Sequence, residues 1–252
     1  MGRIDDALLT LAGIEDTTER AMQLAGLIST LFKLKGVVLI VTGQLAFDSY
    51  ANAVSDKPEL ELATFSGDPA PRTVLEIMRG QLRSEGSLHH WEVADIPVRF
   101  LGEVTIIYRE LCRDFVTDLG VVKLMPAEEI TAGRILAAVY PEPNTESQTQ
   151  VRLLLINALS EAFQMDWTAL QTICHRAEYR VGEELAQMRL AAKREADAQG
   201  LARDHVGETS VLPKIGAAPE ESTPAPSPTA TEEPIEAVVN RQDTIADLLP
   251  DK

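Results

Sequence analysis

The chain has 252 residues, 45% of them hydrophobic and 5% aromatic, with 39 acidic side chains against 23 basic ones. That much apolar material supports a sizeable core in one or two domains and excludes collagen-like, wholly disordered and disulfide-stapled classes. The formal charge of −16 repels phosphate backbones and anionic lipid, which excludes broad binding to nucleic acid or membrane and leaves room only for a local basic pocket.

The amino terminus, Met1 to Asp6, is acidic and has neither the basic nor the apolar region of a secretory signal. Asp6 stands where N-myristoylation requires Ser or Thr. The most apolar run, Val37 to Val41, falls far short of the roughly 20 residues that cross a bilayer. A cytoplasmic protein without membrane contact is therefore expected. Cys112 and Cys174 have no framework or metal-site spacing and read as buried thiols in a reducing compartment.

Along the chain, Asp16-Thr-Thr-Glu offers cap residues, and Leu24, Leu27, Ile28, Leu31 and Phe32 follow at helical spacing, which predicts a helix over 17–34. Gly36 ends it. Val37 to Val41 is β-branched and apolar throughout, as a central strand is, and Thr42-Gly43-Gln44 turns into a second helix over 45–53. Glu59 to Phe65 alternates acid and apolar residues with period two and reads as a strand. A helix over 72–84 follows, then strands at 89–93 and 96–101 joined by Ala94-Asp95, and a short strand at 121–125. Beyond Pro126 only helices are expected, over 127–139, 147–164, 166–176 and 178–198. From Asp204 onward seven prolines, ten acids and three bases predict a disordered acidic tail, because so little apolar surface cannot offset the entropy of ordering. The fold class is thus α+β: a small mixed β-sheet flanked by helices over 1–140, a helical extension over 141–203 and the tail over 204–252. Within the tail, Ile245, Leu248 and Leu249 have the spacing of a short helix that docks on a protein partner, in a segment spanning 235–249.

The order of strand, Gly43-Gln44 turn, short helix and a strand bearing Glu59 and Glu61 resembles the nucleotidyltransferase superfamily, particularly its minimal and toxin-type bacterial members. The resemblance covers about residues 37–101. It implies a nucleotide held at Gly43 and Gln44, catalytic acids at Glu59 and Glu61, and Mg²⁺ between them if the protein is active. Acids at i and i+2 on a strand share a face, so both can approach one ion, while backbone N–H groups at the Gly43 turn receive phosphate. Several residues depart from the family pattern. Gln44 replaces a small residue, both acids are Glu rather than Asp, and Arg99 occupies the expected third-carboxylate position. Asp95 and Glu103 share its strand parity, and Asp95 is the substitute ligand considered.

Other readings stay open at each point. Gly43 also suits an ordinary turn, and Glu59 and Glu61 also suit the solvated face of a strand. His89 and His90, being adjacent on a strand, point to opposite faces and cannot share a metal. Trp91 and Trp167 read as core anchors, Cys174-His175 as helix neighbours facing apart, and Arg134, Arg152 and Arg176 as helix-surface charges. Three functions follow: a nucleotidyltransferase-like protein with a degenerate site and a binding or regulatory role; an active enzyme acting on protein or RNA; or a non-enzymatic interaction module with a partner-binding tail.

Overall fold

Among the described residues a sheet of seven strands organises the fold: β1 (Leu39–Thr42), β2 (Leu60–Thr64), β3 (Glu85–Gly86), β4 (His90–Val93), β5 (Ile96–Glu103), β6 (Arg113–Thr117) and β7 (Gly120–Leu124), in the spatial order β3-β4-β5-β2-β1-β7-β6. These elements come from a computed structural model, which describes residues 3–201 except Asp56, Ser66 and Asp68. The expected acidic tail over 204–252 and its motif at 235–249 lie outside the described residues. The sheet is mixed, because β1 runs antiparallel to β2 but parallel to β7, and β2 runs parallel to β5. Among the described residues there are eight α-helices: α1 (Arg3–Ala12), α2 (Thr17–Lys33), α3 (Gly43–Ala51), α4 (Pro71–Leu75), α5 (Ala127–Val139), α6 (Thr145–Leu159), α7 (Trp167–Cys174) and α8 (Gly182–Ala198). None is long and apolar enough to cross a membrane.

The period-two pattern of the strands sorts the residues between two faces. Leu39, Val41, Leu60, Leu62, Val98, Phe100, Val122 and Leu124 are buried on the face that α2 covers, where the Phe32 and Phe100 rings lie 5.4 Å apart. Register places Thr42 beside Glu61, Glu61 beside Arg99 and Arg99 beside His90, so the opposite face carries a polar row across four strands. The start of α2 is fixed by Asp16, whose Oδ1 accepts from the N–H groups of Thr18 at 2.8 Å and Glu19 at 3.0 Å. Helix α6 packs on α3 as well as on α5, with Asn157 Nδ2 donating 2.9 Å to the Ala51 carbonyl.

Four local differences from the sequence reading have identifiable causes. The first strand begins at Leu39 because Val38 stays 46% exposed. Helix α1, which the sequence reading omits, buries Ala7 and Leu11 while Ile4 and Leu8 pack against the core. The predicted helix over 72–84 becomes the short α4 followed by a π-helical turn, Glu76–Gln81. Strand β6 is the sheet's outer edge, and its mixture of charged and apolar residues hides the alternation that marks an inner strand.

Close approach of α2 to the β6–β7 hairpin depends on two glycines facing each other. A Cβ at Gly120, where φ is +155°, would overlap the Gly26 carbonyl and the Thr30 hydroxyl. Gly133 in α5 has nothing within 4 Å of its missing Cβ. We expect Gly120→Ala to cost about 1–3 kcal/mol by overpacking, whereas Gly133→Ala should gain up to about 1 kcal/mol from helix entropy. Thermal melts of the two variants beside the wild type check the opposite signs.

Candidate functional site at the Gly43 turn

At the end of β1 the chain leaves extended geometry at Thr42 and enters α3 through Gly43, whose φ of +65° favours glycine. The Thr42 hydroxyl donates to Met125 Sδ at 3.1 Å and makes no cap contact, so the first turn of α3 has no side-chain cap. Glu61 fills the space beside this turn: a Cβ at position 43 would collide with its carboxylate. Arg99 Nη2 donates to Glu61 Oε1, and Arg99 Nε lies 3.4 Å from Glu59 Oε1. Glu61 retains 15% side-chain exposure, Arg99 37% and Glu59 42%, so the trio lines a partly solvated wall.

The fold therefore brings Gly43, Glu59, Glu61 and Arg99 together and leaves Asp95 out. Asp95 sits in the β4–β5 turn with φ +62° and a side chain 90% exposed, 4.0 Å from Arg20 Nη1. It lies four residues before Arg99, about 13 Å along the strand. Asp95 therefore does not join Glu59 and Glu61 as a metal ligand, contrary to the expectation from strand parity. Glu103 is opposite Thr64, at the other end of β5. His89 and His90 are both exposed, and among the described residues no group of three or more His, Cys, Asp or Glu converges on a point. The donor set does not fit Mg²⁺: both carboxylates that would ligate it already face the Arg99 guanidinium, which repels a dication.

Gln44 acts as a junction between helices. Its Nε2 donates 2.7 Å to Asp48 Oδ1, while its Oε1 accepts from Arg134 Nη2 at 3.0 Å and Gln150 Nε2 at 3.4 Å. Arg134 is thus no ordinary helix-surface charge: it is half-buried on α5, with its guanidinium 5.6 Å from the Phe47 ring centroid. Burial lowers the Arg134 pKa, against the opposing charges of Glu146 and Asp48. Burial raises that of Asp48, against the Gln44 hydrogen bond and Arg134.

Two further acids lie in the helical half. Glu128 and Glu129, in the first turn of α5, are only 2% and 4% exposed. Glu128 Oε1 accepts from the Asp166 N–H at 2.7 Å, and Glu129 Oε2 accepts from the Tyr179 hydroxyl at 3.1 Å. Arg176 is 3.7 Å from Glu129 and 2.9 Å from Glu178, with an 18% exposed side chain, so it too is more than a surface charge. Burial raises both carboxyl pKa values from their ordinary value, against the hydrogen bonds from the Asp166 N–H and the Tyr179 hydroxyl. The Cys112 thiol is pushed up to about 11 by burial, and that of Cys174 to about 12 by burial and Glu129, which leaves neither a ready nucleophile.

No family model and no curated protein sequence matches the chain. Among solved structures it is similar to the antibiotic-resistance factor ANT(2'')-Ia. The solution structure of that protein shares 14% identity over 74% of this chain and 97% of that one, with a TM-score of 0.42. The crystal structure of ANT(2'')-Ia in complex with adenylyl-2''-tobramycin shares 15% identity over 70% and 98%, with a TM-score of 0.39.

Removing Arg99 leaves two like charges side by side in a partly buried wall. We expect Arg99→Ala to destabilise by about 1–3 kcal/mol, between the exposed and buried limits for ion pairs, and Glu61→Gln added to it to restore part of the loss. A double-mutant cycle on urea melts measures the coupling, and additive effects would place the residues out of contact.

The buried Glu128 sets a pH dependence. Its folded-state pKa is raised above the reference value of 4.5, so its contribution is fully present below that value and is lost as pH rises through the folded value. The stability of Glu128→Gln relative to wild type should therefore grow from pH 4.5 upward, by about 1.4 kcal/mol per unit of raised pKa once the acid is fully ionised. Urea melts across that range check the sign.

Proposed function

We propose that the chain is a nucleotidyltransferase-like protein with a degenerate active site, which binds a nucleotide in a regulatory or scaffolding role and does not transfer its nucleotidyl group. The observation that carries this reading is the Arg99 guanidinium between Glu59 and Glu61. Support for the family comes from the arrangement of the chain itself: a central strand, a glycine turn opening a helix, and a neighbouring strand whose two acids lie at that turn. Departure from catalysis rests on charge. Two carboxylates alone attract a divalent ion, but with Arg99 in contact the trio carries a single net negative charge, and one oxygen of each carboxylate already faces the guanidinium.

Binding without transfer uses what remains. The uncapped N–H groups of α3 favour a phosphate through their partial positive charge. Arg134 stands one hydrogen bond from Gln44 at the same helix start and supplies a cation whose burial strengthens its pull on an anion. Arg99 offsets the repulsion that Glu59 and Glu61 would otherwise exert on the phosphates. A metal is not required by this arrangement.

Titration calorimetry with ATP, CTP, GTP and UTP, each in Mg²⁺ and in EDTA, tests the proposal. At least one nucleotide should give heat in both conditions, and Arg134→Gln should weaken it about tenfold or more, the worth of one charge-assisted hydrogen bond. Silence with all four nucleotides overturns nucleotide binding. Mg²⁺-dependent incorporation of a labelled nucleotide into protein or RNA, lost in Glu61→Gln, overturns degeneracy and makes the protein an enzyme.

A further inference from the structure

Helix α3 carries Gln44 and Asp48 one turn apart, an i, i+4 pair whose side chains share a face of the helix. Asp48 is enclosed, and its Oδ1 accepts from Gln44 Nε2 at 2.7 Å, while Oδ2 has no hydrogen-bond partner among the described residues. At its other end the same amide meets α5, where Arg134 Nη2 donates 3.0 Å to Gln44 Oε1. Gln150 Nε2, from α6, lies 3.4 Å from that oxygen.

This chain of contacts has a direction. An ionised carboxylate only accepts hydrogen bonds, and a guanidinium only donates them. The amide between them has one donor end and one acceptor end, so a single orientation satisfies both neighbours: Nε2 toward Asp48 and Oε1 toward Arg134. Both neighbours also favour the ionised acid. Burial raises the Asp48 pKa, and the Gln44 hydrogen bond and the Arg134 charge oppose that rise. Glu146 on α6 acts on Arg134 through its charge as well, but outside this chain of hydrogen bonds.

We infer that Asp48 is a positioning residue that holds the Arg134 guanidinium in place through the Gln44 amide. Its part in ligand binding rests on the reading of the Gly43 turn as a nucleotide site. A long arginine side chain gives up much rotamer freedom when it is ordered. A guanidinium already held by Gln44 has less to give up when a phosphate arrives, so the bound state costs less to form. Asp48 itself offers an anion nothing to bind. A carboxylate that served only as counter-charge would act on Arg134 through space, whatever stood at position 44. A directional relay instead fails when either Asp48 or Gln44 is changed, and fails only once.

Two measurements on the full chain test this role. In the ligand-free protein, NMR reads hydrogen exchange at the Arg134 Nε–H, which slows when the guanidinium is held. Asp48→Leu and Gln44→Met should each speed it about tenfold, the worth of one charge-assisted hydrogen bond. Asp48→Asn, which still accepts, should fall between wild type and Asp48→Leu. The Asp48→Leu, Gln44→Met double variant should be no faster than the faster single one. Additive effects, or an unchanged rate in Asp48→Leu, overturn the relay. Titration calorimetry then reads binding of the nucleotide that wild type takes up. Asp48→Leu should weaken it about threefold to tenfold, the cost of immobilising one rotamer-rich side chain, and should do nothing further in an Arg134→Gln background. Equal weakening in both backgrounds overturns a role exerted through Arg134. If Asp48→Leu does not fold, Asp48→Asn and Gln44→Met make the same comparisons. Silence of the wild type with every nucleotide overturns the nucleotide reading, while the exchange rates by themselves still uphold or overturn the hold of Asp48 on Arg134.

Discussion

The seat of Glu61 against Gly43 governs the geometry around it. The carboxylate occupies the volume that a side chain at position 43 would need, so a larger residue there would displace Glu61 as well as strain a turn whose φ is +65°. The acid can occupy that volume only if two registers hold together: Thr42 opposite Glu61 across the antiparallel β1–β2 pair, and Glu61 beside Arg99 across the parallel β2–β5 pair. A slip of one residue in either would turn Glu61 toward the face packed by α2. The β2–β5 register does shift, but only between Leu62 and Ala63, beyond the acids, so the irregularity leaves their pairing with Arg99 intact.

A second set of contacts ties the helical half together through the first turn of α5. Glu128 and Glu129 are consecutive and so point in different directions, one to the entry of α7 and the other to Tyr179 and Arg176 beyond its end. Asp166 completes the junction, because its backbone N–H donates to Glu128 while its side chain caps α7 through Thr168 and Ala169. Acids placed there also lie at a helix amino terminus, where the macrodipole offsets part of the cost of burying them.

Much of this was legible in the sequence because it rests on short-range periodicity. Alternation over Glu59 to Phe65 gave the strand and put both acids on one face, and strand parity from Ile96 gave Arg99 as their neighbour. The helical spacing of Ile4, Ala7, Leu8 and Leu11 is equally present, but Asp5 and Asp6 in the first turn of α1 mask it as a polar terminus. Arg134 and Asp48 were not legible. Their character comes from α5 and α6 packing on α3, and nothing local distinguishes Arg134 from an exposed helix arginine. Asp95 misled for a related reason: parity fixes the face of a residue but not its distance along the strand. The π-helical turn at Glu76–Gln81 adds one residue to a helical repeat, a change that hydrophobic spacing does not announce.

The strand order carries a consequence for how the molecule is made. Central strand β1 lies between β2, which follows it closely in sequence, and β7, with Ile40 paired to Lys123. During synthesis the hairpin-like pairing of β1 with β2 is available early, while the other edge of β1 stays open until β7 has left the ribosome. Throughout that interval the nascent chain presents an unpaired apolar strand, the species most prone to association with other chains. Closure of such a long loop also carries an entropic cost before any contact repays it, so the parallel β1–β7 pairing is expected to set the pace of folding.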